Sequence, residues 1–271
     1  MTVDELLCFG KKYLHKTQAE MLLASLLEVN SLELLLMLEK IVDEKIVKDY
    51  QNKVLMFKDN VPIQYVIGNV NFYGNIFKIN KNVLIPRFET EELVENTIKL
   101  IKEYFDYPIS IIDLGTGSGC IGLTLKKKLA NVSLSLLDIS NEALEVAKEN
   151  ANNLNLDATF IQSDMWENVH DKYDVIISNP PYIRNDEEIE DLVRDNEPHI
   201  ALYGGRDGLD MYRKIRNGLL NHVQKRFLLA LEIGDMQKEA VTSLFSDISG
   251  VEIIAKKDLS GRDRMIFIMR K

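Results

Sequence analysis

The chain has 271 residues, of which 46% are apolar and 28% charged, and a net charge of −9. That is the make-up of a globular protein, either one large domain or a small one joined to a medium one. It excludes a bundle of membrane-spanning helices, because no apolar run approaches bilayer length, and it lacks the broad basic field of a protein that grips duplex DNA alone.

The stretch to about residue 58 is rich in Leu, Glu and Lys and holds neither proline nor arginine. Apolar residues recur at helical spacing in EMLLASLLEV and LELLLMLEKI, and Asn30 or Ser31 can cap the second. A small bundle of four or five helices is predicted, its leucine stripes serving as core. VPIQYVIG follows, with Pro62 suited to the first turn of a short helix. NVNFYGNIFKINKNVLIP alternates apolar and polar residues around Gly74 and predicts a hairpin. The expected division is a helical domain at 1–68, a linking hairpin at 69–85 and a larger domain at 86–271.

From there strands alternate with helices. ISIIDLG, VSLSLLDIS, ATFIQSD, YDVIISN, RFLLALEIG, VEIIAKKDL and DRMIFIMR read as strands. SGCIGLTLKKKLA, NEALEVAKENANNL, GLDMYRKIRNGLL and DMQKEAVTSLFSDI read as helices. This is the pattern of an α/β, doubly wound, mostly parallel sheet. The last two strands are joined too closely for a crossover, so one of them should run antiparallel.

Two cysteines, Cys8 and Cys120, are too few for a disulfide framework and fit a reducing cytoplasm. The N-terminal residues show no secretory-signal pattern. The four histidines share no ligand spacing with a cysteine, so no metal is expected.

Gly115, Gly117 and Gly119 follow the first strand of the larger domain in IIDLGTGSGCIG. Such a turn lets backbone approach a ligand, and the next helix offers its free N–H groups; a plain tight turn is the structural alternative. A dinucleotide fingerprint can be forced onto Gly117, Gly119 and Gly122, but its first glycine then falls two residues late. The second strand ends in LLDIS, where Asp138 is placed to accept hydrogen bonds from ribose hydroxyls. A helix cap is the other reading of Asp138, although Ser140 or Asn141 suits that role better. After the third strand, Asp164 and Trp166 sit where an adenine ring would lie, with core packing the alternative for the indole.

The fourth strand runs into Asn179, Pro180, Pro181 and Tyr182. Ligands in open sheets of this kind bind beyond the carboxyl ends of the strands at the switch point, so NPPY should face the glycine turn across one crevice. The Asn179 side-chain oxygen and the Pro180 carbonyl can each accept one N–H of a planar amino group. Two fixed acceptors would hold that nitrogen and favour the pyramidal form reached as it attacks an electrophile. Tyr182 can stack on the flat group. The bland alternative is a rigid strand-ending turn.

DLGTGSG, LLDIS and NPPY, in this order, resemble S-adenosylmethionine-dependent methyltransferases of the Rossmann-like class (class I) that modify amino nitrogens. NVLIPRFETEELVE resembles the IPRxxTE segment of the HemK/PrmC family of release-factor glutamine methyltransferases, and EPHIALYGGRDGLDMYRKI resembles its EPxxALxGGxDGLDxYR block. PIQYVIGNVNFYG resembles its link and hairpin. The resemblance implies methyl transfer from S-adenosylmethionine to the side-chain amide nitrogen of the glutamine in the Gly-Gly-Gln motif of bacterial peptide chain release factors 1 and 2. It implies a cofactor site of Gly115, Thr116, Gly117, Ser118, Gly119, Asp138, Trp166 and Asn179. It implies a glutamine site of Asn179, Pro180, Pro181 and Tyr182, with Asn179, Pro180 and Tyr182 catalytic. Pro86, Arg87, Thr90 and Glu91 would border the pocket. The helical domain would hold the release factor, and neither a membrane nor stable nucleic-acid binding is expected. Two departures stand out: Glu89 where many members carry aspartate, and EIGDMQ after the sixth strand where many carry a histidine–tryptophan-like stretch.

A DNA adenine methyltransferase is the rival, since such enzymes use the same tetrapeptide on a flipped base. The acidic balance and the arginine-free N-terminal bundle argue against it. A binding module that keeps the fold without catalysis is opposed by the intact NPPY and glycine turn.

Overall fold

The computed structural model describes residues 1–57, 60–106 and 108–271. The chain divides into two compact units, Met1–Asn69 with Ile189–Asn196, and Val70–Glu188 with Glu197–Lys271. The first carries α1 (Val3–Gly10), α2 (Lys16–Leu27), α3 (Ser31–Leu36), α4 (Glu44–Met56) and α5 (Ile63–Ile67). Asn30 starts α3: its side chain accepts from the Glu33 N–H and the Glu33 carboxylate accepts from the Asn30 N–H, both at 2.9 Å. The helix stops at Leu36, so LELLLMLEKI is helical only in its first half. Leu6, Leu22, Leu23, Leu34 and Tyr50 are fully buried in this unit's own core, each large aliphatic contributing roughly 1.5–3 kcal/mol.

The hairpin forms as β1 (Asn69–Phe72) and β2 (Asn75–Lys78). Tyr73 and Gly74 make its turn at φ 50° and 75°, the left-handed pair that a two-residue hairpin loop requires. The longest helix, α6 (Phe88–Tyr104), adds to the elements read from the sequence. Then come β3 (Ile109–Leu114), α7 (Cys120–Lys128), β4 (Val132–Asp138), α8 (Asn141–Asn153), β5 (Thr159–Gln162) and β6 (Tyr173–Ser178). Two short helices follow, α9 (Asp191–Asn196), which belongs with the first unit, and α10 (His199–Leu202). The chain closes with α11 (Asp210–His222), β7 (Val223–Glu232), α12 (Lys238–Phe245), β8 (Glu252–Lys257) and β9 (Asp263–Arg270).

The sheet has seven strands in the order β5-β4-β3-β6-β7-β9-β8. The strands from β5 to β7 pair in parallel, and β9 runs antiparallel between β7 and β8, so β9 is the reversed strand the short connection calls for. Side chains alternate between two buried layers. Ile109 and Ile111 of β3 join α6, α7 and α8 on one face, while Ile112 and Leu114 join α11 and α12 on the other. A sheet covered on both faces explains why its central strands read as nearly unbroken apolar runs. The winding direction reverses between β3 and β6, which sets a crevice beyond their carboxyl ends. Among the described residues no helix is long and apolar enough to cross a membrane.

Candidate active site

A cavity of about 270 Å³ opens at that crevice. The glycine turn after β3, the end of β4, the turn after β5 and the NPPY segment after β6 all contribute to its wall.

One end is built from backbone around two carboxylates. Gly115, Gly117 and Gly119 hold φ of 69°, 54° and 80°, which residues with a Cβ adopt only under strain. Asp113, fully buried at the end of β3, accepts from the Thr116 hydroxyl at 2.6 Å and the Gly122 N–H at 3.0 Å, so the turn and the start of α7 hang from one carboxyl. Burial pushes that carboxyl up to about 6, against the pull of both hydrogen bonds. Asp138 is 8% exposed and lines the cavity. Its oxygens accept from the Gly117 N–H at 2.8 Å and the Ser140 N–H at 2.9 Å. Burial raises its pKa, and these N–H groups oppose the rise. Each oxygen keeps lone-pair capacity for a further donor. Ser140, not Asp138, caps α8, through its bond to the Ala143 N–H.

The other end is built from side chains that come from distant parts of the chain. Asn179 donates its Nδ2–H to Thr90 Oγ1 at 3.2 Å, and the Thr90 hydroxyl donates to Glu232 Oε2 at 2.7 Å. Thr90 and Glu232 are 2% and 1% exposed. Burial pushes the Glu232 carboxyl up to about 7; the Thr90 bond and the Arg264 charge pull the other way. Arg87 pairs with Glu197 at 2.6 Å, and Glu197 also accepts the Ile85 N–H at 3.0 Å, so the IPR segment is tied to the EPH segment. Ser178 braces β6 to β3 by donating to the Leu114 carbonyl at 2.7 Å.

The sequence-predicted residues fall into two groups. Gly115, Thr116, Gly117, Ser118, Asp138, Asn179 and Pro181 line the cavity, as do Pro86, Arg87 and Thr90. Gly119 does not; it caps α7 behind the turn. Pro180 is buried outside the lining. Glu91 accepts from the Tyr73 N–H at 2.9 Å and so serves the hairpin.

Two expectations change. Trp166 does not line the cavity: its ring stacks on His222 at 4.6 Å, and its N–H reaches the Lys214 and Ile215 carbonyls at 3.1 Å. Met165, at φ 50°, takes the wall position, beside an Asp164 carboxylate held by Lys214 at 2.7 Å. Tyr182, expected to stack on a flat substrate group, packs against the core layer of α11 and α12 outside the lining. Its carbonyl accepts from Gln237 Nε2 at 2.9 Å, and burial pushes its phenol up to about 12. The EIGDMQ loop thus braces NPPY: Gln237 also accepts the Gly234 N–H at 3.0 Å, and Tyr212 donates to the Glu232 carbonyl at 2.9 Å. A Cβ on Gly208 would stand 2.3 Å from the Tyr182 carbonyl oxygen, which gives a reason for glycine in GGRDGLD. Glu197 and Glu232 are the residues that sequence reasoning missed. The only signals for them were the quoted EPH and EIG stretches, which name no partner.

Comparison with known proteins bears on the whole chain. A release factor glutamine methyltransferase of Bacillus cereus is 37% identical over 281 aligned residues, covering 98% of this chain and 99% of the relative. The chain belongs to the release factor glutamine methyltransferase family. The Bacillus subtilis relative of the same name is 36% identical, with 98% and 96% of the two chains covered. Family models match in two places, the PrmC N-terminal domain at residues 12–68 and the methyltransferase small domain at 90–198. Among solved structures, a T. thermophilus 16S rRNA N2 G1207 methyltransferase, solved with AdoMet and guanosine, has a TM-score of 0.54 at 14% identity. It covers 75% of this chain and 50% of its own, a likeness of fold. In this family member the fold is therefore the class I methyltransferase sheet, as the motifs imply.

Proposed function

We propose that the chain transfers a methyl group from S-adenosylmethionine to the side-chain amide nitrogen of the glutamine in the Gly-Gly-Gln motif of peptide chain release factors 1 and 2, in the cytoplasm. One observation carries the reading: the Asn179 carboxamide, its nitrogen engaged by Thr90, shares a cavity with the Asp138 carboxylate. Asp138 keeps acceptor capacity that fits a pair of ribose hydroxyls, and Leu137, Ile139 and Met165 offer apolar walls to a flat ring. The backbone turn at Gly115–Ser118 comes close to the same ligand without side-chain obstruction. When bound, S-adenosylmethionine supplies a methyl group activated by a neighbouring sulfonium charge.

Asn179 Oδ1 accepts one N–H of the substrate amide, and the carbonyl of Pro180, buried itself but set between the lining residues Asn179 and Pro181, accepts the other. The nitrogen's lone pair, normally shared with the amide carbonyl, is then aimed and its growing positive charge met by two oxygens. Tyr182 acts through the loop: held by Gln237, it fixes the backbone on which Asn179 and Pro180 sit. Residues 1–68 hold the release factor, 69–85 link, and 86–271 carry the reaction.

The test is label transfer. Purified protein with radiolabelled S-adenosylmethionine should mark release factor, should fail to mark a release factor with alanine in place of the motif glutamine, and should leave unmethylated duplex DNA unlabelled. Label on DNA alone overturns the proposal.

A further inference from the structure

A carboxamide has an oxygen end and an amino end of nearly equal size. Either end of Asn179 fits the same space, yet only the oxygen end can accept from a substrate NH₂. Something must set the choice, and NPPY itself does not. We propose that Thr90 and Glu232 are positioning residues that set the Asn179 carboxamide oxygen-outward, an inference that rests on the functional reading above.

The argument is donor counting. Above about 7, the value to which burial pushes it, the Glu232 carboxyl is ionised and only accepts. Thr90 has one hydroxyl proton, and at 2.7 Å it goes to Glu232 Oε2. Thr90 then has only lone pairs left for Asn179, which must answer with an N–H, at 3.2 Å. The amino end is committed to the protein, and Oδ1 is the free end. Thr90 and Glu232 are both buried, so water does not compete for the bond between them. The chain of bonds runs from the end of β7 through the first turn of α6 to the end of β6 and spans 142 and 89 residues of sequence.

The identity of Glu232 fits the role. A carboxylate is costly to bury, and the Glu232 side chain accepts its hydrogen bond from a neutral hydroxyl. A glutamine would be cheaper to bury, but it can turn either end toward Thr90. Were it to donate, the Thr90 proton would be released toward Asn179 and the carboxamide would reverse. The ionised carboxylate, the form present above about 7, removes that option. The same polarity opposes a glutamate side chain, which offers oxygens where Asn179 already presents one, so the relay also favours amide over acid.

Thr90→Val keeps the shape and removes the hydroxyl; Thr90→Ser restores it. With release factor and S-adenosylmethionine, Thr90→Val should lower kcat on the order of tenfold to a hundredfold while KM for release factor moves less than about threefold. Thr90→Ser should recover most of the loss. A valine variant within about twofold of the parent kcat, or a serine variant as slow as valine, overturns the proposal. A second readout needs no substrate: in ¹⁵N–¹H spectra the Asn179 side-chain NH₂ should shift in Thr90→Val and hold in Thr90→Ser, and an unmoved signal in both overturns it. If the parent protein leaves release factor unlabelled, the functional reading falls and the spectra alone judge the relay.

Discussion

The two ends of the cavity are made differently. At the Asp138 end, carboxylates are held mostly by backbone N–H groups: Asp113 by Gly122, with the Thr116 hydroxyl, and Asp138 by Gly117 and Ser140. At the Asn179 end, side chain meets side chain across 89, 110 and 142 residues of sequence. The first construction recognises a ligand with groups that cannot turn over. The second relies on a carboxamide whose direction depends on its neighbours. The first end should therefore tolerate side-chain changes outside its carboxylates, while the second should fail when one hydroxyl is lost.

The largest effect should come from Asn179→Ala, which removes an acceptor from the attacked nitrogen. Turnover of release factor should fall about a hundredfold to a thousandfold. Turnover close to the parent value would mean that the side chain at 179 is structural, and the contrast between the ends would disappear.

Next is a pH effect of Glu232 at the Asn179 end. Burial pushes Glu232 up to about 7; Thr90, Arg264 and Arg87 oppose the rise and Glu89 adds to it. The Tyr182 and Tyr212 phenols face it too, each with its own pKa raised chiefly by burial. The folded protein thus binds this proton more tightly than the unfolded chain does. The associated stability is full below about 4.5 and is lost as pH rises through about 7, on the order of 3 kcal/mol. Denaturant titrations between about pH 5 and about pH 8 should show that decline in the parent protein and a flatter profile in Glu232→Gln. Equal slopes would remove Glu232 as its source. Asp113, pushed up to about 6, contributes to both profiles alike.

The same division governs what could be read from sequence. Period-two strands, helical stripes and the glycine turn are local patterns, and the sheet with its five N-terminal helices follows from them. Asp138 was legible because its partner Gly117 lies on the adjoining strand's turn at a fixed offset. Thr90 could be placed near the pocket only through the resemblance, and Glu232 had no assigned role. Nothing within a few residues of either encodes a bond 142 residues long. The directions of Trp166 and Tyr182 are not legible in the sequence for a related reason. An aromatic beside a pocket motif can face the ligand or the core, and the turn geometry at Met165 and the bracing by Gln237 decide which.

At the backbone-built end, Asp138→Ala should weaken S-adenosylmethionine binding by about 1–3 kcal/mol in calorimetry. The carboxylate would be lost to the ligand, and the Gly117 and Ser140 N–H groups would lose their acceptor. Unchanged affinity would show that the turn, not the carboxylate, supplies the recognition.

The smallest effect marks where that end stops. Trp166 follows Met165 directly, yet its ring is spent on α11: stacked on His222, hydrogen-bonded to Lys214 and Ile215, and so close to Gly218 that a Cβ there would stand 2.1 Å away. Trp166→Phe keeps a ring for the stack and deletes the N–H that two helix carbonyls share. Unfolding free energy should drop by about 1 kcal/mol, while methyl-donor affinity stays at the parent value. A tenfold loss of affinity without loss of stability would mean that the indole swings into the cavity when ligand binds. The wall now assigned to Met165 and Asp164 would then belong to a mobile aromatic, and the donor end would no longer be the rigid half of the site.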